Sequence, residues 1–105
     1  MIAVGTEAGG HTGNITSMVL WPQIVDAVAP LPVLDGGGVG RGRQVAAALA
    51  LGCEGVRCGS IWLKTSQSEV TPDIKAKMFE ASAENAVLPN KTVVRKTIRE
   101  DMRRA

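Results

Sequence analysis

The stretch Pro32-Val-Leu-Asp-Gly-Gly-Gly-Val-Gly-Arg-Gly-Arg-Gln-Val-Ala-Ala-Ala-Leu-Ala-Leu-Gly52 decides how the chain folds. It opens on a short apolar run, Pro32 to Leu34, which reads as a strand. Five glycines follow at Gly36, Gly37, Gly38, Gly40 and Gly42. Arg43 to Leu51 is rich in alanine and leucine, both strong helix formers, and Gly52 is a natural stop just past the helix end. The unit is therefore strand, glycine loop, helix.

The same order holds on either side. Upstream, Met1 to Val4 is an apolar run ending at Gly5, and Gly5 to Asn14 holds four glycines and the chain's single histidine, which marks a structured loop. Met18, Trp21, Ile24, Val25 and Val28 then recur at helical spacing, with Pro22 expected in the first turn, where a missing N–H does no harm, and Pro30 and Pro32 as stops. Downstream, Gly55 to Cys58 reads as a third strand, closed by Gly59-Ser60. The strand spacings leave room for a crossover helix, which implies a parallel sheet with a loop at each strand's C-terminal end.

After Leu63 the pattern changes. Thr71-Pro72 begins a further helix with Ile74, Met78 and Phe79 on one side, Asn85 to Lys91 reads as a connector, and a last, weakly amphipathic helix is expected over about Val93 to Arg104. The expected organisation is residues 1–65 as βα units and residues 66–105 as a helical extension.

The 105 residues suffice for one core, built without much aromatic surface, since only 3% of the chain is aromatic. No run approaches the length of a membrane span and no signal-peptide pattern opens the chain, so the expectation is a cytoplasmic protein. Cys53 and Cys58 lack the neighbouring Cys/His set of a metal site and read as inert thiols. The net charge of +2 comes largely from Lys91, Arg95, Lys96, Arg99, Arg103 and Arg104. No aromatic side chains interleave with these charges, which argues for a solvated helical face and against nucleic-acid binding.

The glycine cluster invites a test for nucleotide loops, and two signatures fail. No register gives G-x-G-x-x-G, and Gly37-x-x-x-x-Gly42 continues with Arg43 and Gln44, where a phosphate-binding loop needs Lys and Ser or Thr. What remains is general. Gly36 to Gly38, after a strand and before a helix, bring backbone N–H groups towards one point, and Gly59-Ser60 offers a second set with a hydroxyl. In a (β/α)8 barrel the loops after the last two strands often grip a phosphate. Read from spacing alone, these segments are equally tight turns. His11, in the first loop, is of a type that can exchange a proton near neutrality, though a lone loop histidine is often unremarkable. Glu7 either orients it or is simply solvated.

Taken as a set, Gly5-Thr-Glu-Ala-Gly-Gly-His-Thr-Gly13, Pro32 to Gly38, Ala46 to Gly52 and Gly59-Ser60 resemble the nitronate monooxygenase family, formerly the 2-nitropropane dioxygenases. The resemblance covers about residues 1–70, and the tail after Ala86 matches nothing recognisable. It implies the C-terminal half of a (β/α)8 TIM barrel that binds FMN, with His11 as the acid/base residue that deprotonates a nitroalkane. It places phosphate and flavin contacts on Gly9, Gly10, Gly37, Gly38, Gly59 and Ser60. The implied substrates are a nitronate or nitroalkane and dioxygen, with the flavin passing electrons between them.

Three features depart from that family's pattern. Val4 stands where a glutamine often touches the flavin. Asp35-Gly36 replaces a usual pair of alanines, setting a carboxylate near the expected phosphate. The family's N-terminal half has no counterpart, so an open sheet edge is expected to favour self-association. Flavin-dependent enoyl-ACP reductases share the His11 loop and the paired glycines and form the rival enzymatic reading; an inactive flavin-binding or self-associating remnant is the non-enzymatic one.

Overall fold

A computed structural model describes residues 1–82. In chain order the elements are β1 (Ile2–Val4), α1 (Ser17–Val28), β2 (Leu34–Gly36), α2 (Gly42–Ala50), β3 (Gly55–Arg57), α3 (Ser60–Leu63) and α4 (Pro72–Glu80). The strands form one parallel sheet in the order β1-β2-β3. Sequential order with helical crossovers is the pattern of adjacent βα units in a barrel wall. Short strands are lengthened by flanking bonds: Leu34 N–H donates to Met1 O, Glu54 N–H to Val33 O, and Gly5 N–H to Gly36 O.

Register sorts the side chains onto two faces. Ala3, Asp35 and Val56 lie level with one another across the sheet, and side chains level across a parallel sheet share a face. That face carries the helices: α1 packs on β1 and β2, and α2 packs on β3. Ala3, Val33, Trp21, Val39, Ala48 and Cys53 form the core, with Ile24, Val25, Val28, Val45 and Val56 packed around it. Gly52 closes α2 with φ +97, and Val25 Cγ1 lies 2.9 Å from where its Cβ would be, so the αL turn also lets α1 pack close.

The opposite face holds Ile2, Val4, Leu34, Gly36 and Gly55. It has no helix. Ile2 is 45% exposed and Leu34 38%. A Cβ on Gly36 would lie 3.1 Å from Val4 Cγ2, and one on Gly55 3.0 Å from Leu34 Cδ2, so these side chains already fill the space beside the glycines.

Two expectations are corrected. Pro22 lies inside α1, not in its first turn, because the helix starts at Ser17 after Thr16. The missing N–H leaves the Met18 carbonyl without its i+4 donor; packing of Trp21, Ile24, Val25 and Val28 onto the sheet holds the helix through that point. The second strand is Leu34–Gly36, displaced towards the glycines from the expected Pro32–Leu34. Asp35 and Gly36 have partners on both sides, in β1 and β3, and that pairing outweighs the weak strand preference of Asp and Gly.

Helix α4 starts as expected, with Thr71 as N-cap and Pro72 in the first turn. Its apolar side is largely exposed: Ile74 is 52% and Phe79 67% exposed, the latter with the Lys64 ammonium 5.5 Å from its ring centroid. The expected last helix, Val93 to Arg104, lies outside the described residues.

Candidate functional site

The loop between β1 and α1 is closed at its neck. Thr6 N–H donates to Ile15 O at 3.1 Å, and the Glu7 carboxylate grips Ser17, the first residue of α1. Ser17 N–H lies 3.2 Å from Glu7 Oε1 and 3.0 Å from Oε2, and Ser17 Oγ–H donates to Oε2 at 2.7 Å. Thr6 Oγ1 approaches the same oxygen at 3.4 Å. An acceptor here suits the helix N-terminus, whose first N–H groups have no intrahelical partner and whose dipole favours negative charge. Burial pushes the Glu7 carboxyl upward, but the hydrogen bonds from Ser17 and the backbone outweigh it and hold its pKa below the ordinary value.

The Glu7 carboxylate is therefore taken up by Ser17 and makes no hydrogen bond to His11. His11 is exposed at the far end of the same loop, and among the described residues no hydrogen bond fixes its imidazole. Gly9 and Gly10 flank it in open space, with no protein atom within 4 Å of a Cβ built on either.

The loop after β2 is shaped from two sides. Gly37 and Gly38 take φ values of +109 and +76, which side chains with a Cβ rarely adopt. A Cβ on Gly37 would stand 2.6 Å from Ala8 Cβ, and one on Gly38 3.1 Å from Glu7 Cβ. These glycines thus let the His11 loop lie directly against the turn. Gln44 holds the turn from α2: its Nε2 donates to Gly38 O and its Oε1 accepts from Gly40 N–H, both at 2.8 Å.

Gly59 and Ser60 follow β3 at the same C-terminal end of the sheet, Gly59 as N-cap and Ser60 as first residue of α3. A Cβ on Gly59 would meet nothing within 4 Å. The structure thus brings Gly37 and Gly38 into contact with the His11 loop. It sets Gly59-Ser60 on the neighbouring strand end, and it leaves His11 free of all of them.

Asp35 does not face the expected phosphate. Its side chain points into the helix layer, fully buried, and Oδ1 accepts from Arg57 N–H at 3.3 Å. Oδ2 has no partner. Burial raises the Asp35 carboxyl above its usual range, with the Arg57 N–H opposing. Burial also raises the Cys53 thiol, and the Asp35 carboxylate adds to it.

A cleft of about 220 Å³ runs between α1 and α2, with Glu7, Trp21, Val39, Gln44 and Leu51 among its walls. It reaches the Gly37–Gly38 turn, which lines it, and includes none of His11, Gly59 and Ser60. The hydrogen bonds of Glu7 and Gln44 are already made within the fold.

Three loops on consecutive parallel strands, two of them in contact, form the C-terminal rim of a barrel wall. The nitronate monooxygenase family model matches residues 1–102. The chain belongs to the nitronate monooxygenase family. The match extends through the tail, which sequence reading alone had left unplaced beyond Ala86.

Similarity to individual members of the family and its neighbours is high. A Mycobacterium tuberculosis protein named as a monooxygenase, Rv1533, is 58% identical over 87 residues, covering 83% of this chain and 23% of its own length. A hydroxy-methyl-oxo-octahydro-indene-carboxyl-CoA dehydrogenase of the same organism is 41% identical, covering 84% of this chain and 25% of its own. A Staphylococcus aureus protein named as a nitronate monooxygenase is 33% identical, covering 84% and 27%. Among solved structures, FabK from Thermotoga maritima superposes with a TM-score of 0.78 at 41% identity, over 82% of this chain and 27% of FabK. The chain thus spans about a quarter of the length of these proteins. The three-stranded α/β unit matches part of a (β/α)8 barrel, in a family of oxidoreductases.

Proposed function

We propose that this chain supplies the acid/base loop and the phosphate-facing turns of an FMN-dependent, nitronate monooxygenase-like oxidoreductase acting in the cytoplasm. The observation that carries the reading is the contact between the His11 loop and the Gly37–Gly38 turn at the C-terminal rim of the sheet, where barrel enzymes assemble their sites.

The residues fit a flavin phosphate. Gly9, Gly10 and Gly59 leave open space where side chains would otherwise project, so a ligand can approach their backbone closely. The amides near Gly37, Gly38 and Gly59 and the Ser60 hydroxyl are suitable donors. The carboxylate of Asp35, which would repel an anion, is turned away into the helix layer. When bound, FMN supplies the redox chemistry by which nitronate electrons reach dioxygen.

The protein's own part is acid/base and electrostatic. The His11 imidazole takes the proton from the carbon bearing the nitro group, leaving the nitronate, and the glycine turns hold the phosphate and orient the ring system.

Similarity to FabK favours a second reading, a flavin-dependent enoyl-ACP reductase that draws electrons from NAD(P)H. Turnover separates the two: oxygen uptake with a nitronate supports the first, and NAD(P)H oxidation driven by an enoyl thioester without nitronate turnover supports the second. The exposed inner face of the sheet supports association with further copies.

Titration with FMN is the direct test. A yellow complex near one FMN per chain is the expected result, and a colourless protein at saturating FMN overturns the proposal for this chain alone. His11→Asn should keep the flavin spectrum while slowing oxidation of neutral nitroalkanes by roughly 100-fold or more. Undiminished activity would remove His11 from the chemistry.

A further inference from the structure

Glu7 sits where three parts of the rim meet. Its carboxylate takes both the backbone N–H and the hydroxyl of Ser17 at the start of α1. Its Cβ is the nearest protein atom to a Cβ built on Gly38, at 3.1 Å, in the turn after β2. Ala8, next in sequence, lies against Gly37 in the same turn, 2.6 Å from where its Cβ would stand. Both segments of chain that form the neck of the His11 loop are thus held by one residue and its neighbour.

Gly5 is part of the same device. A Cβ at Gly5 would collide with the Ser17 hydroxyl and lie 2.7 Å from Ser17 N and 2.8 Å from Glu7 Oε2. Gly5 is also buried, with its N–H bonded to Gly36 O in β2. Space for the Glu7–Ser17 contact therefore exists only because residue 5 has no side chain. A glycine, a carboxylate two residues on and a hydroxyl at the start of the next helix form one clamp.

The clamp is anchored at both ends. Ser17 is 5% exposed and heads a helix packed on the sheet by Trp21, while Gly5 continues β1. The loop between them has few internal bonds: Thr6 N–H to Ile15 O closes the neck, and Ala8 N–H to Gly5 O makes the first turn. Removing the carboxylate would leave the three Ser17 contacts to water and free the glycine-rich segment to explore many backbone states.

We propose that Glu7 is a positioning residue: by clamping Ser17 through the gap left by Gly5, it fixes the His11 loop against the Gly37–Gly38 turn. It acts through the loop, its carboxylate oxygens being taken up by Ser17. The role as a clamp stands on the geometry, whereas its bearing on flavin binding rests on the function proposed above.

Hydrogen exchange of the full chain, with FMN titration alongside, tests it. In Glu7→Ala, amides of residues 6–17 and 37–40 should exchange about tenfold faster while those of residues 33–35 and 55–57 keep their protection. Ser17→Ala, which removes the hydroxyl bond and keeps the backbone one, should give a smaller acceleration in the same two segments. Glu7→Gln should fall between wild type and Glu7→Ala, since its amide oxygen still accepts. FMN affinity should drop about tenfold in Glu7→Ala and be partly restored in Glu7→Gln.

Acceleration spread evenly over strands and loops would reduce Glu7 to a general stabiliser and overturn the proposal, as would unchanged exchange in both segments. Should Glu7→Ala fail to fold, Ser17→Ala decides by the same pattern. Failure of the wild-type chain to bind FMN would count against the proposed function, and the exchange pattern would still decide the clamp.

Discussion

The two faces of the three-stranded sheet are built on different terms. The helix-covered face buries Ala3, Val33 and Asp35 under Trp21 and Ala48. The other presents Ile2 and Leu34 exposed, with no helix over them among the described residues. In a closed barrel both faces are covered, one by helices and one by side chains from the remaining strands. The contrast teaches that, among the described residues, helices cover one face of the sheet and leave the other open.

Substitutions on the two faces should therefore differ widely in effect. Trp21→Ala removes the largest side chain of the closed face and should destabilise by about 3–5 kcal/mol, read by urea unfolding. A loss under about 1 kcal/mol would mean that α1 does not pack on the sheet as described. Asp35 is one anomaly of the same face, a carboxylate with one oxygen that has no partner among the described residues; Trp21 Nε1 is another such buried polar atom. Asp35→Ala, which removes that carboxylate, should raise stability by about 1–3 kcal/mol at neutral pH.

The pH dependence of these effects sharpens the comparison, because Asp35 and Glu7 have opposite signs. The folded-state pKa of Asp35 is raised, so wild-type stability is fully present below its unfolded value and is lost as pH rises through the folded one. The gain in Asp35→Ala should shrink on acidification. The folded pKa of Glu7 is lowered, so its contribution is present above the unfolded value and disappears as pH falls through the folded one. Glu7 is exposed to solvent, which screens it, and Glu7→Ala should lose only about 1 kcal/mol at neutral pH, a loss that vanishes in acid. Unfolding midpoints measured against pH for both variants check the two signs together.

The smallest effect belongs to the open face. Leu34→Thr puts a β-branched side chain, which suits a strand, in place of leucine and should change stability by less than about 0.5 kcal/mol. It should also weaken any self-association seen by sedimentation. A loss comparable to that of Trp21→Ala would reveal that the inner face is already covered in solution.

Much of this was legible in the sequence, for local reasons. The βαβαβ order, the Gly52 stop and the Thr71-Pro72 start depend on residues adjacent in the chain, and each appeared where expected. What escaped depends on distant partners. Leu34 to Gly36 is a strand because β1 and β3 flank it, and Pro22 is tolerated mid-helix because Trp21 and its neighbours pack. Gln44 carried a readable signal: it stands three residues after the helix N-cap Arg41, the position from which a Gln side chain reaches back to the chain ahead of the helix. Glu7 carried none, since its partner Ser17 lies ten residues on, beyond a loop whose path the sequence does not set.

A loop fastened at its neck has a tip that can be exchanged. Thr6 with Ile15 and Glu7 with Ser17 fix where the chain leaves β1 and where it enters α1, so the residues from Gly9 to Asn14 are free to change in number and kind without moving either element. Long surface insertions add little to the free energy of closing such a loop. The arrangement makes the segment around His11 a cassette, in which new reactivity or substrate preference can be grafted onto an unchanged scaffold.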